Sequence, residues 1–594
     1  MIGEYRTPAV VGSAWLRGRG PSRSDKLHAM QEWALLAVAA VLIIVVVSYV
    51  APKLGVAAPV LLVLVGMGCS QLPGAPHLFV EPEWILVVVL PPILYSAAVN
   101  VPVVDFRRNF ATIGALSVLL VVVSAFGTGL LIWWLLPEIG FAAALALGAV
   151  ISPPDAVAAT SIGKKLGLPP RLVTILEGEG LVNDATALVL LRTAIVAITA
   201  SVSFGSALGD FAYAVSVGVA VGAAVGIVSV WARARIQGQP VLTTAISYVV
   251  PFLAFIPAEE VHASGVIAVV VAGLITGHQS ARRFTAHDRI SERTNWRTIQ
   301  LLLENGVFLL MGFELTSVIG AVADDQMART LVLGALATVA LVVLRVAFTI
   351  PVIALLRSQQ RRADAFTGKL ESFVDRFTAR GPTPGEEKRY DRGIRMLQRK
   401  QADVAFYASE GLSWRGGAVL AWSGMRGVVT VAAAQTLPED LPYRSELILI
   451  AFTVAILTLV VQGGSLPLVI RWLGIRGNDQ DHERREYARL AGELVTASRT
   501  LLESSTLCRE NGEPFDEHLL EQTLERIIAM SEGIEKKLTE QDPDMSMHQR
   551  FELQRMMADA QQNALLDARA SGTYASHTLE KAQNFVDSQS TRFM

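Results

Sequence analysis

A succession of long apolar runs separated by short polar loops limits what this chain can become. Runs of spanning length lie at 33–50, 55–72, 83–99, 109–136, 140–163, 170–200, 206–232, 241–257, 262–277, 297–321, 329–356, 412–436 and 443–473. A helix of about 20 apolar residues matches the hydrocarbon thickness of a bilayer. The expected architecture is therefore an all-α polytopic membrane protein with about 13 transmembrane helices and a helical cytoplasmic tail. Only 18% of the 594 residues are charged and 52% are hydrophobic, whereas about a quarter are charged in soluble domains. The net charge of -2 gives no footing for a nucleic-acid partner, and two cysteines, Cys69 and Cys508, exclude a disulfide framework or a Cys-rich metal site.

Orientation follows from sorting cations into alternate loops. One set holds Lys53, Arg107, Arg108, Lys164, Lys165, Arg171, Arg233, Arg235, Arg282, Arg283, Arg289 and Arg293, then the basic loop 357–405. The other set is acidic, with only Arg329 and Arg444 as cations. The first set is expected in the cytoplasm, and with it the C-terminal tail of a protein integral to the plasma (inner) membrane. That parity puts the N-terminus outside, against its five cations, and a start at Met30 would remove the conflict. N-terminal sequencing that finds residues before Met30 rejects such a start.

Five parts are expected. They are a polar extension (1–30), a membrane domain with the ion site (31–357), a cytoplasmic helical insertion (358–409), two last membrane helices (410–475) and a cytoplasmic helical tail (476–594). The insertion carries a Pro/Gly break at Gly381–Gly385, and its charge run reads as a solvated or headgroup-facing surface. Gly218, Gly222 and Gly226 form a ridge of small residues suited to close helix packing. In the tail, Tyr487, Leu490, Leu494 and Leu501 recur at helical spacing, as do Leu520, Leu524, Ile527 and Ile534, so amphipathic helices are expected.

Chemistry concentrates in one stretch, Ile151 to Thr193. It sets Asp155, Glu177, Glu179, Asn183 and Asp184 among apolar residues, where an ionised group costs several kcal/mol. Asp155 follows Pro153 and Pro154, which interrupt a helix by removing N–H donors and clashing with the preceding turn. Asp184 lies four residues after Gly180 and seven after Glu177, so the three share a helical face. A lone membrane carboxylate can simply pair with a buried arginine for packing. A broken helix beside a buried carboxylate is how secondary transporters hold a small cation.

Four segments, SPPDAVAA, LEGEGLVNDATALVL, LENGVFLLMGFEL and WSGMRGVVTVAAA, resemble in order the signatures of the first class of monovalent cation/proton antiporters, the NhaP and NHE type sodium/proton exchangers. The resemblance covers roughly residues 30–475. It implies inverted repeats with interrupted helices, a homodimer, and transport of Na+ against H+ with no cofactor and no catalytic residue. Asp184 is then the carrier, holding a cation or a proton but never both. Asp155 is either a ligand of the transported Na+ or a compensator of helix-end dipoles, and Asn183 and the Pro154 carbonyl join the cation/proton-binding set. The family carries threonine at Pro154 and serine at Gly180, so two hydroxyls are absent here. Asn183 stands where electrogenic relatives carry a second aspartate, which implies electroneutral exchange.

Glu179 at membrane depth needs a cation, and Arg426 is the expected partner in a structural ion pair near the site. Arg426→Ala is then expected to lower folded yield; a well-expressed variant with normal transport would count against that role. Glu177 and Glu304 are expected next to the site, although Glu304 also reads as a helix-end carboxylate near the cytoplasmic surface. Among competing functions, a potassium/proton exchanger is the nearest. A cation channel lacks a repeated filter or charged ring, and an intramembrane enzyme lacks any HExxH or Gly-x-Ser-x-Gly motif.

Overall fold

The structure, a computed structural model, describes residues 23–54, 57–73, 82–199, 203–236, 238–380, 387–409, 413–475, 480–502 and 513–539, with a few isolated positions besides. Residues 1–22, the Pro/Gly cluster at 381–385, Cys508 and Pro543 lie outside this set. The chain divides into two compact units, Met1–Gly477 and Asn478–Met594.

Among its described residues the first unit consists of helices joined by turns and breaks, with no strand. It opens with α1 (Arg23–Leu54), which contains Met30, and α2 (Ala58–Ser70). α3 (Leu90–Asn100) and α4 (Leu120–Leu135) are each entered through a π turn, at Ile85–Val89 and Ala115–Leu119. α5 (Gly140–Ile151) stops before the two prolines, α6 (Ala156–Lys165) resumes beyond Asp155, and α7 (Pro170–Thr199) starts on a proline, whose missing N–H costs nothing in a first turn. Next come α8 (Phe204–Ala234), α9 (Pro240–Glu260), α10 (Gly265–Arg283), α11 (Ala286–Ala321) and α12 (Asp324–Arg380). Side chains fix several starts: Ser203 caps α8, Ser264 caps α10, and Thr285 with Asp288 closes a reciprocal capping box on α11. α13 (Glu387–Ser409), α14 (Trp414–Trp422), α15 (Val428–Gln435) and α16 (Arg444–Leu457) follow, the last joined through a π segment to α17 (Gly464–Trp472).

Among the described residues, eight helices are long and apolar enough to cross a bilayer unaided. Of the other five expected runs, α2 and Ile85–Asn100 are shorter helices, the pairs α5/α6 and α14/α15 are interrupted, and α10 is one helix of 19 residues that ends in the polar stretch HQSARR. α11 begins at Ala286, ahead of the expected 297, and α12 runs past the expected 356 to Arg380. Polarity runs as it does in a lipid-embedded bundle, with Leu35, Val228, Val339 and Ile350 outward and Ser247, Thr276 and Thr458 buried between helices.

Two main cores hold the bundle. One gathers α5, α12 and α16 with parts of α2 and α11, and the other gathers α3, α9 and α10 around Tyr95 and Trp296. The ridge on α8 meets α10: a Cβ on Gly226 would lie 3.1 Å from Cα of Ala272, and one on Gly218 would lie 2.8 Å from the Ser264 carbonyl oxygen. Outside the apolar part, α13 folds back on the extension of α12 with Tyr390 stacked on Phe377 at 5.3 Å. The end of α13 docks on the short helix Val103–Arg108 through Asp403 and Arg108 at 2.7 Å. In the second unit, α18 (Gln480–Leu502) and α19 (Glu517–Thr539) are amphipathic in sequence, and Leu490, Leu494 and Leu501 remain exposed.

Candidate functional site

The two interrupted helices cross at their interruptions. The backbone N–H of Asp155, between α5 and α6, donates to the carbonyl of Met425, between α14 and α15, at 2.6 Å. Such contact needs a residue without a side chain opposite Asp155, and Gly427 supplies it: a Cβ there would sit 2.8 Å from Cβ of Asp155.

Each break exposes one helix end with unpaired N–H groups and one with unpaired carbonyls. Asp155 precedes α6 and lies against Gly427, the residue that opens α15, so its carboxylate meets two positive helix ends. Arg426 occupies the complementary position. Its guanidinium donates to the Ile151 carbonyl at 2.9 Å, to the Ser152 carbonyl at 3.2 Å and to the Gly424 carbonyl, so its charge meets the negative ends of α5 and α14. Its backbone N–H donates to Thr458 Oγ1 at 2.9 Å. One anion and one cation thus balance four half-helix ends.

The expected Glu179–Arg426 ion pair is corrected by this geometry. Glu179 is clasped by Arg345 of α12, Nη1 to Oε1 at 2.6 Å and Nη2 to Oε2 at 2.9 Å, while Arg345 Nε donates to the Leu420 carbonyl at 3.2 Å. The reason is directional: Glu179 leaves α7 on the side facing α12, and Arg426 spends its guanidinium donors on carbonyls. The sequence reading missed Arg345, although an arginine inside the apolar run LVVLRVAFT is itself a signal at membrane depth.

One turn further along α7, Asn183 Nδ2 donates to the Pro154 carbonyl at 2.6 Å, fastening the helix to the break. Asn183 Oδ1 is buried without a hydrogen-bond partner among the described residues. The Asp184 carboxylate follows, close enough to that of Asp155 for the two to repel. At Gly180 a Cβ would crowd the methyl of Ala156 and lie 3.5 Å from its Cα, so the serine of the family pattern would have to displace Ala156. Glu177 stands apart, bound at 2.5 Å to Lys164, which is 60% exposed. Glu304, on α11, accepts from Gln300 Nε2 at 2.6 Å and lies within Coulombic range of Asp155.

The structure thus gathers Asp155, Asp184, Asn183 and the Pro154 carbonyl at the crossing, with Glu304 nearby and Glu177 at the rim. All the donors are oxygens, the kind a hard monovalent cation accepts, and a carboxylate among them can take a proton instead.

Residues 39–472 match the family described as "Sodium/hydrogen exchanger, transmembrane". The chain is 25% identical over 540 residues to the uncharacterised Na+/H+ exchanger YjcE of Escherichia coli, covering 86% of this chain and 89% of that one. It is 26% identical over 444 residues to the Na+/H+ antiporter ApNhaP of Aphanothece halophytica, 74% of each. Its fold resembles the sodium proton antiporter MjNhaP1 of Methanocaldococcus jannaschii, with TM-score 0.53 and 15% identity over 74% of this chain and 99% of that one. The chain belongs to the sodium/hydrogen exchanger family and is a cation/proton antiporter, a transporter and not an enzyme.

Proposed function

We propose that the chain exchanges Na+ for H+ one for one, with Asp184 as the carrier and with Asp155, Asn183 and the Pro154 carbonyl completing the cation seat. The observation that carries this reading is the buried Asn183 Oδ1, without a hydrogen-bond partner among the described residues, on the residue preceding Asp184 in α7. A buried carboxylate is tolerated when a cation or a proton neutralises it and is costly when bare. If the crossing changes sides only when neutralised, each species crosses in exchange for the other. One carrier carboxylate, with an amide at the preceding position, makes the exchange electroneutral. Two copies in the plasma membrane with the tail in the cytoplasm complete the reading.

Potassium is the second candidate, because Gly180 withholds the hydroxyl oxygen that the family pattern would add and Ala156 fills the space beside it. Purified protein in vesicles with an imposed pH gradient tests both, with Na+, Li+ or K+ added in turn. Expected is dequenching by Na+ that is insensitive to membrane potential and lost in Asp184→Asn. Unchanged exchange in that variant would overturn the carrier assignment, and current without proton movement would indicate a channel.

A further inference from the structure

A second polar region lies in the core around Tyr95 and Trp296, apart from the crossing. Its backbone is α11, where Asp288, Glu292, Trp296, Gln300 and Glu304 follow one another at intervals of four residues. Such a series stays on a slowly turning face and covers about 24 Å at 1.5 Å per residue. Each member has a polar neighbour on another element or along the face. Thr243 donates to Asp288 at 3.2 Å, Arg233 of α8 to Glu292 at 2.5 Å, and Trp296 Nε1 to Ser247 of α9 at 3.1 Å. Ser96 of α3 donates to Gln300 at 2.9 Å, and Gln300 to Glu304 at 2.6 Å. The inner end reaches the ion site, since Glu304 is within Coulombic range of Asp155 and Val307, one turn on, packs against Ala432 of α15. The outer end carries Arg289 and Arg293, which the cation distribution assigns to the cytoplasm.

The outer half of this face is buried yet incompletely bonded. Arg233 Nε and Nη1, Glu292 Oε1 and Tyr95 Oη are enclosed without a well-formed hydrogen bond to a described residue, although Tyr95 lies against Arg233 and Thr276. A buried guanidinium N–H or carboxylate oxygen left bare costs several kcal/mol. Donors and acceptors are mixed here, so the species that satisfies them must both give and accept hydrogen bonds, as water does.

We propose that the polar face of α11 is a hydrated route by which protons travel between the cytoplasmic end of the helix and the ion site, with Gln300 as a positioning residue that holds Glu304 at its inner end. The proposal rests on the carrier reading above for what the route serves, but its hydration does not. Gln300 shuttles no proton itself; it orders Glu304 and the water between Ser96 and the site. Arg233 and Glu292 hold α8 to α11 around the outer water.

Hydroxyl-radical footprinting of the full-length protein by X-ray radiolysis reads the water directly, because radicals formed on trapped water oxidise the rings beside it. Tyr95 and Trp296 are 0% and 2% exposed, and Phe452, at 0% in the other core, is the dry control. Expected is oxidation of Tyr95 and Trp296 with Phe452 silent; silence of all three would overturn the proposal. In vesicles, Gln300→Leu is expected to slow exchange at saturating cation about tenfold, the worth of one hydrogen bond to a charged group, with half-saturation unchanged and most of the rate kept in Gln300→Asn, which retains an amide donor. A full rate in Gln300→Leu, or a shifted half-saturation with no loss of rate, would overturn the route. Footprints that persist while Asp184→Asn still exchanges would place the failure in the carrier assignment.

Discussion

Two buried arginine–glutamate pairs lie in the membrane domain, and they are solvated in opposite ways. Arg345 and Glu179 form a closed fork: both carboxylate oxygens are taken, and Arg345 Nε has the Leu420 carbonyl. Arg233 and Glu292 share one contact and leave two guanidinium nitrogens and one carboxylate oxygen without a well-formed hydrogen bond to a described residue, with the Phe284 ring 4.1 Å from the guanidinium and Tyr95 beside it. The first pair is dry and clamps the helix of Asn183 and Asp184 to α12. The second belongs to a wet region, where water completes what the protein leaves open. Burial alone therefore does not say what a charged pair is for; the tally of satisfied atoms does.

The contrast can be broken by removing one partner at a time. Glu179→Gln strands the Arg345 charge in a dry site and is expected to cost about 3–5 kcal/mol, read as a fall in melting temperature and monodisperse yield in detergent. The double variant Glu179→Gln/Arg345→Met should recover most of that loss; equal damage in single and double variants would mean that the fork is not the clamp. Glu292→Gln should cost less, about 1–2 kcal/mol, because water already solvates Arg233 and continues to do so. A loss as large as that of Glu179→Gln would show the second site to be dry. Lys164→Gln removes a pair whose lysine faces solvent, and its effect on the same melt should stay below about 1 kcal/mol.

Much of the architecture is legible in the residues themselves. Apolar runs announce membrane helices, prolines 153 and 154 announce one break, and Gly424 and Gly427 permit the other. The Asn183–Asp184 pair stands out because ionisable groups at membrane depth are retained at a cost. The partner of Glu179 is not legible in the sequence, because pairing across 166 residues depends on which side of α7 the carboxylate leaves, and no local pattern encodes that. The polar face of α11 could have been found by its spacing of four. Trp296 and Gln300 carry no signal of their own until the neighbouring helices are in place.

By itself the sequence determined that this chain enters a bilayer, where its helices must stop, and which carboxylates it keeps at depth, since hydropathy, imino-acid geometry and desolvation cost are properties of residues. Only the tertiary structure decided that the two breaks cross, that Arg426 serves carbonyls while Arg345 serves Glu179, and that α11 presents a partly bonded polar face to α3, α8 and α9. Those outcomes depend on the direction in which each side chain leaves its helix and on what stands opposite, and both exist only once the helices have packed.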